Sequence, residues 1–186
     1  MPAWMRAHAR IWPVPRVVDA IATARLSLRP LVEGADDLAL YRALYCDPGV
    51  MLHVAEPVPG TRVVASFEAS CRDSASAPAF ASRWCVRRSR DGEGVGLLGA
   101  FHDRPSSSVE LGILLLPQAQ GSGFAVEALA AMMATLHGSA DAAWFWSRHR
   151  PANRAMARVL ERLDFARGPD RDGHWRWQRP AVTGPR

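Results

Sequence analysis

Lysine is missing altogether from this 186-residue chain; all 23 of its basic residues are Arg. A Gly-Lys-Ser/Thr phosphate loop therefore cannot exist here. Cysteine is scarce. Cys46, Cys71 and Cys85 form no CxxC pair and no regular framework, which predicts reduced, structural thiols in a cytoplasmic protein. The six His never fall into ligand spacing with Cys, so a zinc site has no support. No apolar run reaches the roughly 18 residues of a membrane span. Residues 1–22 carry Arg6, Arg10 and Arg16 and several Pro but no continuous apolar stretch, which argues against a secretory signal. Tyrosine is nearly absent: Tyr41 and Tyr45 are the only two, and the second half has none.

What is present is enough apolar material for one core. Hydrophobic residues make up 48% and charged residues 22%, which suits a single globular domain. We expect an N-terminal extension over residues 1–22, a domain over 23–179 and a Pro/Gly-bearing tail over 180–186. The net charge of +5 is uneven. Residues 145–186 hold ten Arg against four acidic residues, while the remainder is close to neutral. Such a basic third can hold phosphates, nucleic acid or acidic protein; a plain solvated surface is the alternative reading.

Periodicity orders the chain as β-α-α-β-β-β-α-β-α-β. Residues 24–31 alternate as a strand. Asp36 or Asp37 can cap a helix running to about Tyr45, which Asp47-Pro48-Gly49 ends. Residues 50–60 read as a Pro-bearing loop, and 61–72 as a second helix. Strands follow over 80–88, 95–102 and 108–116, the first two joined by an Asp91-Gly92 turn. The third is nearly all apolar, as a central strand covered on both faces would be. From about Gly121 a helical spacing takes over through Val126, Leu129, Ala130, Met133 and Leu136. A strand over 142–148 puts Trp144 and Trp146 on one side and Phe145 on the other. Residues 151–163 read as a helix, and a last hairpin ends in 174–178 with Trp175 and Trp177 on one face. The pattern is α+β or mixed α/β.

The informative segment is 109–127, VELGILLLPQAQGSGFAVE. A buried strand enters a loop with two Gly and then a helix. First-turn N–H groups have no intrahelical partner, and glycines let a phosphate approach them. Gln118, Gly121 and Gly123 thus suggest a pyrophosphate cradle, although glycines shaping a tight turn would look the same. The dinucleotide GxGxxG is absent.

QAQGSG, residues 118–123, resembles the Q/R-x-x-G-x-G/A signature of the GNAT N-acetyltransferases. ARLSLRPL, DPGVM, ELGILLLP, GFAVEAL and RPANRAMARVLERLDF resemble the subgroup that includes ribosomal-protein N-terminal acetyltransferases. The resemblance covers about residues 24–178. It implies a central, mostly antiparallel sheet with a splayed parallel pair and helices on both faces, and acetyl-CoA (coenzyme A) as acyl donor. It places the pantetheine arm along the backbone of Ile113, Leu114 and Leu115. It places the pyrophosphate on the N–H groups of Gln118, Ala119, Gln120, Gly121, Ser122 and Gly123, and a cofactor contact at Asn153, whose alternative is a helix cap. Arg148, Arg150 and Arg154 are candidates for the nucleotide phosphates, with plain surface as the alternative.

The implied reaction is direct attack of a primary amine, at a peptide N-terminus or on a small molecule, through a tetrahedral intermediate. A proton must leave the amine, and a backbone N–H near Ile113 can hold the oxyanion. Glu110 interrupts an apolar strand, where burial would lift its pKa. It matches the Glu of the family's E-L-G block and is the candidate base, with a substrate-orienting role as the alternative. His102 and His53 are backups, and Glu56 and Glu68 could bind a cationic amine. Trp175 and Trp177 could stack on an aromatic acceptor, with core packing as the alternative. Two departures stand out: Met156 replaces the family's Ser, and Asp164 replaces the usual Gly before Phe. They keep a second reading open, a non-catalytic acyl-CoA-binding or sensor protein. A nucleic-acid binder using the basic third is a weaker third reading. A homodimer is compatible, without a defined interface.

Overall fold

The computed structural model describes residues 20–75, 81–103, 106–139 and 142–181. The expected N-terminal extension, up to residue 19, and tail residues 182–186 lie outside the described residues, as does Phe80 of the strand expected over 80–88.

One eight-stranded sheet organises the chain. Its strands are β1 (Ile21–Ala22), β2 (Leu26–Pro30), β3 (Ala81–Arg88), β4 (Gly94–Asp103), β5 (Ser108–Leu115), β6 (Trp144–His149), β7 (Ala166–Arg167) and β8 (Trp175–Pro180). Their spatial order is β1-β2-β3-β4-β5-β6-β8-β7. Every neighbouring pair is antiparallel except β5 and β6. Helices α1 (Ala35–Tyr45), α2 (Pro48–Met51) and α3 (Val63–Ala75) precede β3; α4 (Phe124–Ser139) and α5 (Arg154–Arg162) flank β6 in sequence.

Alternation along the strands divides the apolar residues between two faces. Leu28, Val86, Leu98, Val109 and Leu111 pack with Leu129 and Met132 of α4 and Leu160 of α5. Leu31, Cys85 and Leu97 pack on the opposite face with Leu40, Tyr41 and Leu44 of α1 and Val63 and Phe67 of α3. Burial drives the Cys71 thiol up to about 11 and the Cys85 thiol up to about 12, so both are protonated packing groups.

The ends of the helices differ from expectation for local reasons. Gly34, not an Asp, is the N-cap of α1. Asp37 is buried and accepts from Arg29 Nη1 at 2.8 Å and from the Val32 N–H at 3.0 Å. It therefore ties α1 to β2 instead of closing its own helix. Asp47 does not merely end α1: its Oδ1 accepts from the Val50 N–H at 2.9 Å and starts the one-turn α2, which spans the expected break and the first two residues of the expected loop. Pro151 precedes α5, which begins after Asn153. Among the described residues no helix is long and apolar enough to cross a membrane.

Candidate functional site

The sheet opens where its one parallel pair ends. β5 and β6 pair from Ser108↔Trp144 to Glu110↔Trp146, and β5 then runs on through residues 111–115 without β6 beside it. Leu116 donates its N–H to Val95 O on β4 at 2.9 Å. Backbone polar groups alternate sides along a strand, so Ile113 and Leu115 turn theirs toward the gap while Leu114 faces β4. The Leu115 carbonyl there accepts from Gln120 Nε2 at 3.1 Å. The N–H and C=O of Ile113 remain on the open edge, in the middle of a sheet, where an extended ligand can pair with them. Ile113 packs its side chain on the α4 side, and Leu114 on the α1/α3 side.

Beyond β5 the chain makes a 3-10 turn (Pro117–Ala119) and enters α4. The N–H groups of Ala119 and Gln120 donate to the Leu116 and Pro117 carbonyls at 2.9 and 3.2 Å. Those of residues 121–126 find no acceptor among the described residues; the helix ladder starts with Glu127 N–H on Gly123 O at 3.1 Å. Of residues 118–123, the N–H groups of Ala119 and Gln120 are thus engaged within the turn, while those of Gly121, Ser122 and Gly123 stay open and continue into the first turn of α4. Gln118 is exposed and Ala119 buried. Gly121 and Gly123 have φ of 74° and 81°, a region where a side chain is strained. A Cβ at Gly123 would meet only Arg25 Nη2, at 3.4 Å, so the glycine is required by its backbone more than by crowding.

Arg25 escaped the reading of the sequence. Its Nε donates to Glu127 Oε2 at 2.7 Å and its Nη1 to Ser122 O at 2.9 Å, while its guanidinium lies 4.9 Å from the Phe124 ring centroid. Glu127 also accepts from Thr23 Oγ1 at 2.5 Å and from the Arg25 N–H at 2.9 Å; against the upward push of burial, the Thr23 hydroxyl first and then Arg25 hold its carboxyl below the ordinary carboxylate value. A half-exposed cation is thus fixed beside the cradle.

Glu110 projects from the α1/α3 face of β5 at the mouth of the gap. Its side chain is 16% exposed and accepts from Arg148 Nε at 3.1 Å. Burial pushes its pKa up, and Arg148 opposes that rise without cancelling it. Next along β5 on the same face, Gly112 has nothing within 4 Å of where its Cβ would stand. Open space therefore adjoins the carboxyl. His102 pairs with Val109, one residue out of phase with Glu110, and so lies on the opposite face. Glu68 sits on the outer side of α3 with Arg72 at 3.9 Å, and Glu56 is exposed on the segment after α2. His53 is half-buried in that segment.

Asn153 is a helix cap: its Oδ1 accepts from the Met156 N–H at 3.0 Å. Only its Nδ2 makes no hydrogen bond among the described residues. Of the arginines expected near phosphates, Arg148 is engaged with Glu110, Arg150 reaches Leu52 O at 3.4 Å, and Arg154 lies 5.0 Å from the Trp175 ring. Trp177 is buried and donates Nε1–H to His149 Nε2 at 2.9 Å, and His149 Nδ1–H donates to Arg150 O at 2.8 Å. Trp175 packs edge-on to His149. These two tryptophans therefore belong to the α5-side core. Trp144 and Trp146 instead face the open side with Glu110. Among the described residues no cluster of His, Cys, Asp and Glu could hold a metal ion.

A family model described as the acetyltransferase (GNAT) domain matches residues 25–166. Among solved structures, an acetyltransferase from Agrobacterium tumefaciens is similar at TM-score 0.72 and 22% identity, covering 93% of this chain and 98% of that one. An acetyl transferase from Salmonella typhimurium that modifies the N-terminal serine of a 50S ribosomal subunit protein gives 0.73 and 17%, covering 87% and 98%. Spermidine N-acetyltransferase from Vibrio cholerae, in complex with CoA and spermine, gives 0.71 and 16%, covering 86% and 97%. Their distances are comparable, so the ribosomal-protein subgroup is one relative among several. No curated protein matches. With the splayed sheet, the glycine turn into α4 and a domain match over most of its length, the chain belongs to the GNAT acetyltransferase family.

Proposed function

We propose that this chain moves an acetyl group from acetyl-CoA to a primary amine, at a peptide N-terminus or on a small molecule, with residues 23–179 as one catalytic unit. The observation that carries this reading is the alignment of the open edge at Ile113 with the run of idle N–H groups from Gly121 to Val126. Acetyl-CoA has the matching shape, an amide-bearing arm ending in a diphosphate. The arm pairs with Ile113 in the manner of an added strand. The diphosphate meets six convergent donors at the positive end of α4, with Arg25 beside them. Asn153 Nδ2 is the remaining contact available from β6's side of the gap.

The chain supplies position and charge. The amine nitrogen forms the new C–N bond as the C–S bond breaks, and that electron pair leaves on sulfur as thiolate. One proton leaves the nitrogen for Glu110, directly or through a water. The Ile113 N–H is the donor closest to where the carbonyl oxygen gains charge. Glu110 suits this step because burial favours its protonated form more than in a free carboxyl. The alternative, an acyl-CoA binder without transfer, draws support from Met156 in place of Ser and from the lack of Tyr beyond Tyr45.

Thiol release from acetyl-CoA across peptides, amino acids and polyamines tests both. The expected result is amine-dependent release, with Glu110→Gln cutting kcat by about a hundredfold or more at unchanged CoA affinity. A raised KM with intact kcat would reassign Glu110 to acceptor anchoring. Tight CoA binding without release on any amine would favour the binder.

A further inference from the structure

Buried polar atoms without partners call for an explanation, and here they share one face of the sheet. Among the described residues they are Arg83 Nε, Arg83 Nη1 and Trp146 Nε1. All three are donors, and strand register puts all three on the Glu110 face of the sheet. Phe101 pairs with Glu110, Glu110 with Trp146, and Trp146 with Gln178, which makes one row across four strands. Arg83 joins this row from one end, its guanidinium 5.5 Å from the Phe101 ring centroid and its Nη1 3.9 Å from Asp73, outside hydrogen-bond reach. At the other end Arg176 lies 4.3 Å from the Trp146 ring centroid and forms no salt bridge among the described residues. A shallow groove of about 220 Å³ runs there, lined by Ser106, Ser108, Trp144, Trp146, Arg176 and Gln178. Its far rim holds Asp103, whose carboxylate accepts from Ser106 Oγ at 2.6 Å.

The row thus holds one carboxylate, Glu110, already paired with Arg148, and beside it the Trp146 N–H is still unused. A polyamine would bring more positive charge to Arg83, Arg148 and Arg176. A ligand rich in acceptor oxygens would satisfy what the protein leaves idle. We propose that the Trp146–Arg176 groove is the acceptor-specificity subsite and that it takes the carboxylate of an amino acid or of an acidic peptide N-terminus while the amine lies at Glu110. Trp146 supplies an N–H and Arg176 a planar fork stiffened by its stacking on the indole. The groove's volume admits one residue-sized group, not a long chain.

This rests on the acetyl-transfer reading, and the test separates the two. Thiol release is measured with free amino acids and their amides, with peptides beginning in Asp or in Asn, and with spermidine. The acid forms are expected to exceed their amides in kcat/KM by about tenfold or more, the worth of a charge-assisted hydrogen bond. Arg176→Gln is expected to bring that ratio to within about twofold with CoA affinity intact. Whether free acids or only Asp-led peptides benefit distinguishes the two carboxylate sources. In parallel, the Trp146 indole N–H resonance, assigned through Trp146→Phe, is followed while the same acids and amides are added to the CoA-bound protein. It is expected to shift with acids only. Equal rates for acids and amides, preference for spermidine, or a ratio that survives Arg176→Gln would overturn the proposal and leave acetyl transfer standing. Absent thiol release with an acid-specific shift would overturn transfer and keep the groove. Silence in both would overturn both.

Discussion

His149 and Trp177 form a bond that no sequence pattern announces. The imidazole accepts from one neighbour and donates to the other, a neutral tautomer by geometry. Burial holds its pKa below the ordinary value of 6.5. The unfolded chain therefore binds a proton that the native state refuses, and stability falls as pH drops through 6.5. Urea midpoints between pH 7.5 and 5 are expected to decline in the native protein. His149→Gln, which has no titrating ring, is expected to flatten that slope; an unchanged slope would place the effect elsewhere. Asp37 acts in a separate window. Its carboxyl is held low by Arg29 and the Val32 N–H against burial, so its contribution is lost only below the usual carboxylate range. The same chemistry explains why so many Arg and Trp coexist here. Arg154 and Arg167 cover Trp175 and Arg176 covers Trp146, so part of the basic third is spent on indole faces.

At the scale of elements, the connection between β5 and α4 and the anchor of α1 carry the sharpest expectations. Valine at Gly123 would have to keep φ near +81°, which a β-branched residue resists. Gly123→Val is expected to weaken CoA binding by tenfold or more, a loss of about 1.4 kcal/mol, measured by calorimetry. Gly60→Ala, at a position with nothing within 4 Å of its Cβ, is the control. Asp37→Ala leaves a partly buried Arg29 unpaired, and the expected loss of stability is about 3 kcal/mol, read from denaturant unfolding. Strands and the phase of alternation were legible in sequence because burial imposes them: Trp144 and Trp146 on one side and Phe145 on the other came from period two alone. Helix faces were less so. Ala130 of α4 is exposed although its spacing put it inward, because that helix is apolar nearly all round and its periodicity has no clear phase. Which amides around the glycine turn stay open also escaped the pattern. Which N–H groups a 3-10 turn consumes depends on where it closes, and the motif letters carry no record of that. Trp175 and Trp177 were visible as a pair, but which side of the sheet α5 would cover was not.

For the whole molecule, the central relation is between a sheet that opens and a helix that begins. The eight strands form a continuous surface except beyond Glu110↔Trp146. Two independent interruptions meet there, an unpaired strand edge and an uncapped run of amides. Each would be a liability in a closed fold, and the proposed acetyl-CoA, extended and diphosphate-bearing, would answer both. Arg25 comes from the β1–β2 turn and Asn153 from the start of α5, so the proposed cradle would draw on both ends of the domain. The resemblance to known acetyltransferases was legible because these few backbone-defining residues, Gly121 and Gly123 above all, tolerate little change. The acceptor side was not, since it depends on which side chains converge across β4, β5, β6 and β8. Amide hydrogen exchange with and without acetyl-CoA tests the relation most directly. Strong added protection is expected at Ile113 and across residues 121–126, with the β7–β8 hairpin unchanged. Ligand binding that leaves those amides exchanging as before would contradict the relation.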